Sequence, residues 1–445
     1  MWGECLRCAI GRREAICGVK PEGLIPTMMY SLHELHKSMM TPAVLWAGVM
    51  KEAFSHPYSP LSYTPMSRTV AANSELFTRV MRRYHKPEWD IKHVVIDGAD
   101  VDVSEEVAID KPFCKLVHFR KSGSRKQPKL LIVAPLSGHF ATLLRDTVRT
   151  ALVDHDVWVT DWVDAKMVPV SDGAFHLDDY VAYVQEFIRA LAPDLSVMSV
   201  CQPTVPVLAA VSLMAANDDP AVPKAMIMMG GPIDARRSPT TVNEFAEKRS
   251  HSWFARRLIM RVPYNHPGFT RQVYPGFLQH ASFMAMNPDR HLNAHWQFYN
   301  HLIEGDGDSA EAHRQFYDEY NAVLDMPAEY YLDTVRVVFQ EFLLPKGQWD
   351  VNGERVRPEA ISKTALFTIE GELDDISGNG QTEVAHELCT GIPASKRKHL
   401  LAKRVGHYGI FSGRKFRERI YPQIREFIGK NVAAKTPAKR KAQTA

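Results

Sequence analysis

No stretch of this 445-residue chain holds the roughly 18 consecutive apolar residues that a membrane-crossing helix needs. The opening MWGECLRCAIGRREAICG is broken by Arg and Glu before the core of an export signal could form, so a cytoplasmic address is the expectation. Neither a phosphate-cradling P-loop nor a dinucleotide fingerprint occurs, which argues against nucleotide chemistry. Basic and acidic residues nearly cancel, 54 against 51, and a net charge of +3 is too small to imply a nucleic-acid partner. Cysteine is scarce: Cys5, Cys8, Cys17, Cys114, Cys201 and Cys389 are read as reduced thiols. Cys5 and Cys8 form a CxxC near Cys17, but no fourth ligand is close, so no metal site is expected. There is no internal repeat.

What remains is an ordinary globular composition, with 45% hydrophobic and 24% charged residues. Residues 1–28 read as a leader, disordered or preceding the true start, and residues 29–92 as an N-terminal helical segment. From 93 to 239 come strand-like pieces (HVVID, CKLVHFR, KLLIVAP) and then an alternation of strands and helices: VWVTDWV, LDDYVAYVQEFIRALA, LSVMSV, PTVPVLAAVSLMAA, AMIMMGG. Such alternation predicts an α/β protein with a doubly wound, mostly parallel sheet, because each crossover must pack back over the sheet. Residues 240–345 are helix-like and aromatic-rich and are expected to form a cap or lid. The sheet pattern resumes over 346–429. Residues 430–445 carry five Lys/Arg and no acid, a composition read as a disordered basic tail.

Three strand ends carry reactive groups. Cys201 follows LSVMSV and opens a helix, where a tight turn exposes the sulfur and a helix N-terminus favours its thiolate. Asp374 and Asp375 follow ALFTIEG, and His407 follows HLLAKRV in the turn GHYG. Each alone has a plainer explanation: a lone Cys is commonly a small core hydrophobe, and an aspartate after a strand commonly caps a helix. Their coincidence at ordered strand ends, in the sequence nucleophile–acid–histidine, points to an α/β-hydrolase fold. The elbow reads Ser199-Val-Cys201-Gln-Pro203 and lacks both glycines of G-x-S-x-G; Pro203 is compatible with the first turn of a helix. One oxyanion donor is expected from the backbone N–H of Gln202 and the other from the loop Pro135–Phe140, at Ser137. His139 in that loop is read as ordering it. Gly231, Gly378 and Gly380 are read as turn glycines.

The segments SVCQPTVPVLAAVSLM, PLSGHFATLLRDTV, GGPIDARRSPTTVNEFA, TIEGELDDISGNGQTEVAHELC and HYGIFSGRKFRERIYPQIREFI together resemble the intracellular polyhydroxyalkanoate (PHB) depolymerases, over roughly residues 28–430. The resemblance implies a Cys201 nucleophile and a His407 base. It places the acid in the E-G-E-x-D-D-I-S segment, at Asp374 with Asp375 as second choice. It further implies the polymer granule surface as partner, no cofactor, and water or the thiol of coenzyme A as acyl acceptor. A polyhydroxyalkanoate synthase-like acyltransferase, a generic esterase and a non-catalytic granule-binding protein are the rival readings. The Ser199/Pro203 frame speaks against the first, since synthases keep glycines around their cysteine.

Overall fold

The structure, a computed structural model, describes residues 24–123, 126–286 and 288–432. The three N-terminal cysteines and most of the basic tail lie outside the described residues. Nine strands form one sheet: β1 His93–Ile96, β2 Ala99–Asp110, β3 Cys114–Lys121, β4 Lys129–Val133, β5 Asp156–Trp162, β6 Leu195–Val200, β7 Ala225–Met229, β8 Ala365–Gly371 and β9 Arg397–Ala402. Their spatial order is β1-β2-β3-β5-β4-β6-β7-β8-β9. The first three strands pair antiparallel, as does β3 with β5, and all later pairs are parallel. This is the α/β-hydrolase arrangement with one extra strand at its leading edge.

The central strands β4, β6, β7 and β8 are mostly apolar and buried along nearly their whole length because helices cover both sheet faces. Helices α3 (Arg145–Leu152), α4 (Leu177–Leu191) and α5 (Thr204–Ala216) follow β4, β5 and β6, and a closing helix, Tyr421–Val432, ends the described chain. Strand β2 is not foreseen by apolar patterning, since most of its residues are exposed. Its ladder with β3 sustains it, and the turn before it is Asp97-Gly98, both at positive φ (53° and 78°), a hairpin signal present in the sequence.

The segment between β7 and β8 is built from α6 (Thr241–Glu247), α7 (His251–Arg257), α8 (Gly276–Met286), α9 (Pro288–Glu304), α10 (Gly307–Tyr320) and α11 (Ala328–Thr334). A small three-stranded sheet of Met260–Arg261, Gln272–Tyr274 and Met326–Pro327 joins these helices, which the sequence reading did not anticipate. Most of the segment's aromatic rings pack inward; Tyr264, Phe269 and Trp296 are the more exposed ones.

Helix α1 runs Leu24–Ser55, so it begins inside the stretch read as a leader, and the closing helix extends to Val432, beyond the expected start of the tail. Together with α2 (Ser67–Met81), α1 packs against the cap: the Tyr30 hydroxyl donates to Asp325 Oδ2 at 2.6 Å, and Arg314 pairs with buried Glu75. The outward face of α1 is apolar. Met28, Leu32, Leu35, Met39, Trp46 and Val49 follow one another at helical spacing, and all are exposed, Met39 and Trp46 by 70% and 66%.

Candidate active site

Strand β6 delivers Cys201 at a sharp bend. Its φ of 67° lies in the left-handed region, which costs a non-glycine residue on the order of 1–2 kcal/mol. Neighbouring contacts hold it there. Cys201 N–H donates to Met229 O at 2.7 Å, and Thr204 N–H donates to Cys201 O at 3.1 Å as Pro203 turns into α5 with helical angles. The elbow glycines missing from the sequence are compensated locally. Ser199 is buried and its hydroxyl donates to Ile227 O at 3.3 Å. Gly231, on the neighbouring loop, supplies the lack of bulk: a Cβ there would stand 1.8 Å from Thr204 Oγ1 and 2.5 Å from Cys201 O.

Gly231 and Gly378, read as turn residues, do open short turns, their carbonyls accepting from Ile233 N–H at 3.0 Å and Gln381 N–H at 3.1 Å, and a demand for space adds to that role. Both are needed for close approach; a Cβ on Gly378 would stand 1.9 Å from Ser238 O. Gly380, at φ 90°, does serve a turn. Gly230, which the sequence reading passed over, has φ 54° and sits beneath the reactive groups, where a Cβ would come within 3.4 Å of both Asp374 and His407. The GG that ends β7 was the available signal.

The loops after β8 and β9 run side by side, joined by Glu372 N–H to Ala402 O (3.0 Å) and Leu373 N–H to Val405 O (2.9 Å). Further anchoring comes from buried Glu370, whose carboxylate accepts the N–H groups of Gly380, Thr382 and Glu383. This clamp sets Asp374 beside His407: His407 Nδ1–H donates to Asp374 Oδ2 at 2.8 Å. The other carboxylate oxygen, Oδ1, accepts the N–H groups of Ile376 and Ser377 at 2.9 and 2.8 Å. Asp375, the second choice for the acid, is exposed and lines a different chamber.

With Nδ1 committed to Asp374, the opposite edge of the His407 ring faces Cys201, to which it is hydrogen-bonded. Burial acts to lower the basicity of His407. Attraction to Cys201 and Asp374, with the hydrogen bonds to both, outweighs it and holds the imidazole well above the ordinary histidine range. Cys201 is a free, half-buried thiol, whereas Cys114 and Cys389 are buried among apolar groups that push their thiols up, Cys389 to about 12.

Gln202 and Ser137 both line the cavity at Cys201, and among the described residues no acceptor takes up either backbone N–H. The loop that carries Ser137 is pinned from below and from the cap. Ala134 N–H donates to Thr160 Oγ1 and Gly138 O accepts Leu324 N–H at 2.7 Å. His139 Nε2–H donates to Tyr320 O at 3.1 Å while its ring stacks on Phe283. Burial pushes His139 down to about 4, so at neutral pH it is an uncharged strut between this loop and α10.

The cavity holding Cys201 and His407 measures about 200 Å³, and its walls are nearly all apolar, among them Leu136, Val200, Met326, Val335 and Phe339. The arrangement is suited to acyl transfer: a nucleophile, a base oriented by a carboxylate, two spare N–H donors and a water-poor acyl pocket. No helix among the described residues is long and apolar enough to cross a membrane.

Residues 230–432 match the family model described as PHB de-polymerase C-terminus. No curated protein matches the chain. Among solved structures, a putative lipase from Acinetobacter baumannii is similar at 13% identity and a TM-score of 0.40, over 74% of this chain and 93% of that one. A hypothetical protein from Pseudomonas aeruginosa is similar at 12% identity and 0.42, over 78% and 99%. A thioesterase domain from the curacin biosynthetic pathway reaches 12% and 0.39, over 73% and 99%. The family-model match spans a little under half of the chain, and the strand order is that of an α/β-hydrolase core.

Proposed function

We propose that this protein is an ester hydrolase, a poly(3-hydroxybutyrate) depolymerase that works through a cysteine acyl-enzyme. The observation that carries the reading is Cys201 on its left-handed elbow, bonded to a histidine whose far nitrogen is held by buried Asp374. Sulfur attacks the ester carbonyl carbon, and the N–H groups of Gln202 and Ser137 receive the negative charge that develops on its oxygen. As the tetrahedral centre collapses, the C–O bond breaks and the 3-hydroxyl oxygen departs with the proton from His407 Nε2. Water then attacks the thioester and gives its proton to His407, and the carboxylic acid leaves as Cys201 regains its thiolate.

The apolar walls around Cys201 suit an aliphatic acyl unit. The exposed apolar row on α1 supports contact with a water-insoluble substrate at a granule surface in the cytoplasm. The test is product analysis by mass spectrometry after incubating the protein with amorphous poly(3-hydroxybutyrate) granules, with and without coenzyme A, beside Cys201→Ala. Free hydroxybutyrate or its oligomers, absent with the variant, support the hydrolytic reading. Hydroxybutyryl-CoA formed only when coenzyme A is present makes the thiol the acceptor. Activity confined to short soluble esters would make the protein a generic esterase.

A further inference from the structure

A second chamber, of about 400 Å³, adjoins the one at Cys201. Phe283, Met286, Ile376 and Tyr408 belong to the walls of both. The two differ in chemistry. Where the first is nearly all apolar, the second alternates aromatic rings with polar groups, including Thr241, His313, Tyr317 and Asp375. Resting on the depolymerase reading, we propose that this second chamber is the subsite for the alcohol side of the polyester, the segment that departs on its 3-hydroxyl oxygen.

Proton transfer dictates the side. The leaving oxygen must lie at His407 Nε2 to receive its proton, so the segment attached to that oxygen extends away past the histidine and not past the oxyanion donors. The side is read from the walls: His407 itself lines the first chamber, and the next residue, Tyr408, lines both. The second chamber's walls also include Asp375 and Ile376, the residues after Asp374, whereas Ser137 and Gln202 line only the first chamber. Its chemistry also fits. A polyester segment alternates methyl and methylene groups with ester dipoles, and rings interleaved with hydroxyl and imidazole groups answer both, where the nearly all-apolar first chamber suits a short acyl unit. The larger volume lies on the side where chain remains to be held. Binding energy gathered there, remote from the reacting carbonyl, raises the rate on chains above that on simple esters.

Ala294, half-buried on α9, lines the second chamber and not the first. Ala294→Trp fills the chamber from α9, and Thr241→Phe fills it from α6 as an independent variant should the first fold poorly. The probes are the linear 3-hydroxybutyrate trimer and methyl 3-hydroxybutyrate, whose departing alcohol is only methanol and does not reach the chamber. In either folded variant the ratio of kcat/KM for trimer to that for methyl ester is expected to fall about tenfold or more, mostly through KM. An unchanged ratio in folded variants that still cleave the methyl ester overturns the subsite. Wild-type protein that cleaves neither probe nor the polymer overturns the depolymerase reading instead, so the two failures are distinguishable.

Discussion

His407 Nδ1 lies 2.8 Å from Asp374 Oδ2, and the two side chains are only 4% and 1% exposed. A buried ion-paired contact of this kind costs desolvation on both sides and gives little net stability. Its value is orientation: the carboxylate fixes which ring nitrogen carries the proton toward Asp374, leaving the other for Cys201. Asp374→Asn should therefore reduce the rate by on the order of 10⁴-fold, whereas Asp375→Asn should retain most of it. Steady-state rates on the trimer decide, and a larger loss in Asp375→Asn would move the acid to the neighbouring residue.

Cys201→Ala is expected to remove ester cleavage almost completely, by on the order of 10⁶-fold, with the thermal midpoint close to wild type. Cys201→Ser should keep at most weak activity, because a hydroxyl needs more help from a base than a thiol does. Wild-type rates in a verified Cys201→Ala sample would remove the cysteine from the mechanism.

The raised basicity of His407 has a defined sign. Its folded value lies above the 6.5 of an ordinary histidine, so the stabilisation from its partners is fully present below pH 6.5 and is lost as pH rises through the folded value. Cys201 is the largest of the raising influences, so the ring should titrate at lower pH in Cys201→Ala than in wild type. NMR titration of the His407 ring reads both; a wild-type ring titrating at or below 6.5 contradicts the assignment.

Gly231→Ala places a methyl group 1.8 Å from Thr204 Oγ1 and 2.5 Å from the Cys201 carbonyl oxygen. Because backbone cannot yield cheaply there, a loss of roughly 1–3 kcal/mol is expected, along with displacement of the elbow and a fall in kcat. Denaturant unfolding and trimer kinetics on the same sample measure the two, and unaltered values in both would show that the elbow tolerates bulk.

Replacing Leu32 and Trp46 together by Glu puts charge on the apolar row of α1 without touching the cavity. Sedimentation with amorphous polymer granules should show severalfold weaker adsorption, since each buried large apolar side chain is worth about 1.5–3 kcal/mol. Undiminished adsorption would assign granule contact to another surface.

Much of this protein is legible without coordinates. The largely apolar stretches of β4, β6, β7 and β8 can be read because parallel strands covered on both faces hold few polar groups, among them Ser199 and Glu370, which are both hydrogen-bonded. Cys201, Asp374 and His407 stand out because reactive groups in such a sheet sit where its strands end. What the sequence leaves open depends on contacts between distant residues. Strand β2 is mostly polar and exists through its ladder with β3. That the Asp374 carboxylate, and not that of Asp375, lies against the histidine goes with Leu373 N–H meeting Val405 O, while Asp375 stands at the second chamber. The bend at Cys201 forms without its usual glycines because Gly231, 30 positions after Cys201, supplies the missing space from the adjacent strand end. Local pattern determined most of the elements and which groups end them; tertiary packing decided the polar strand β2, the small sheet of the cap and which of those groups touch, because distance in space is not written in distance along the chain.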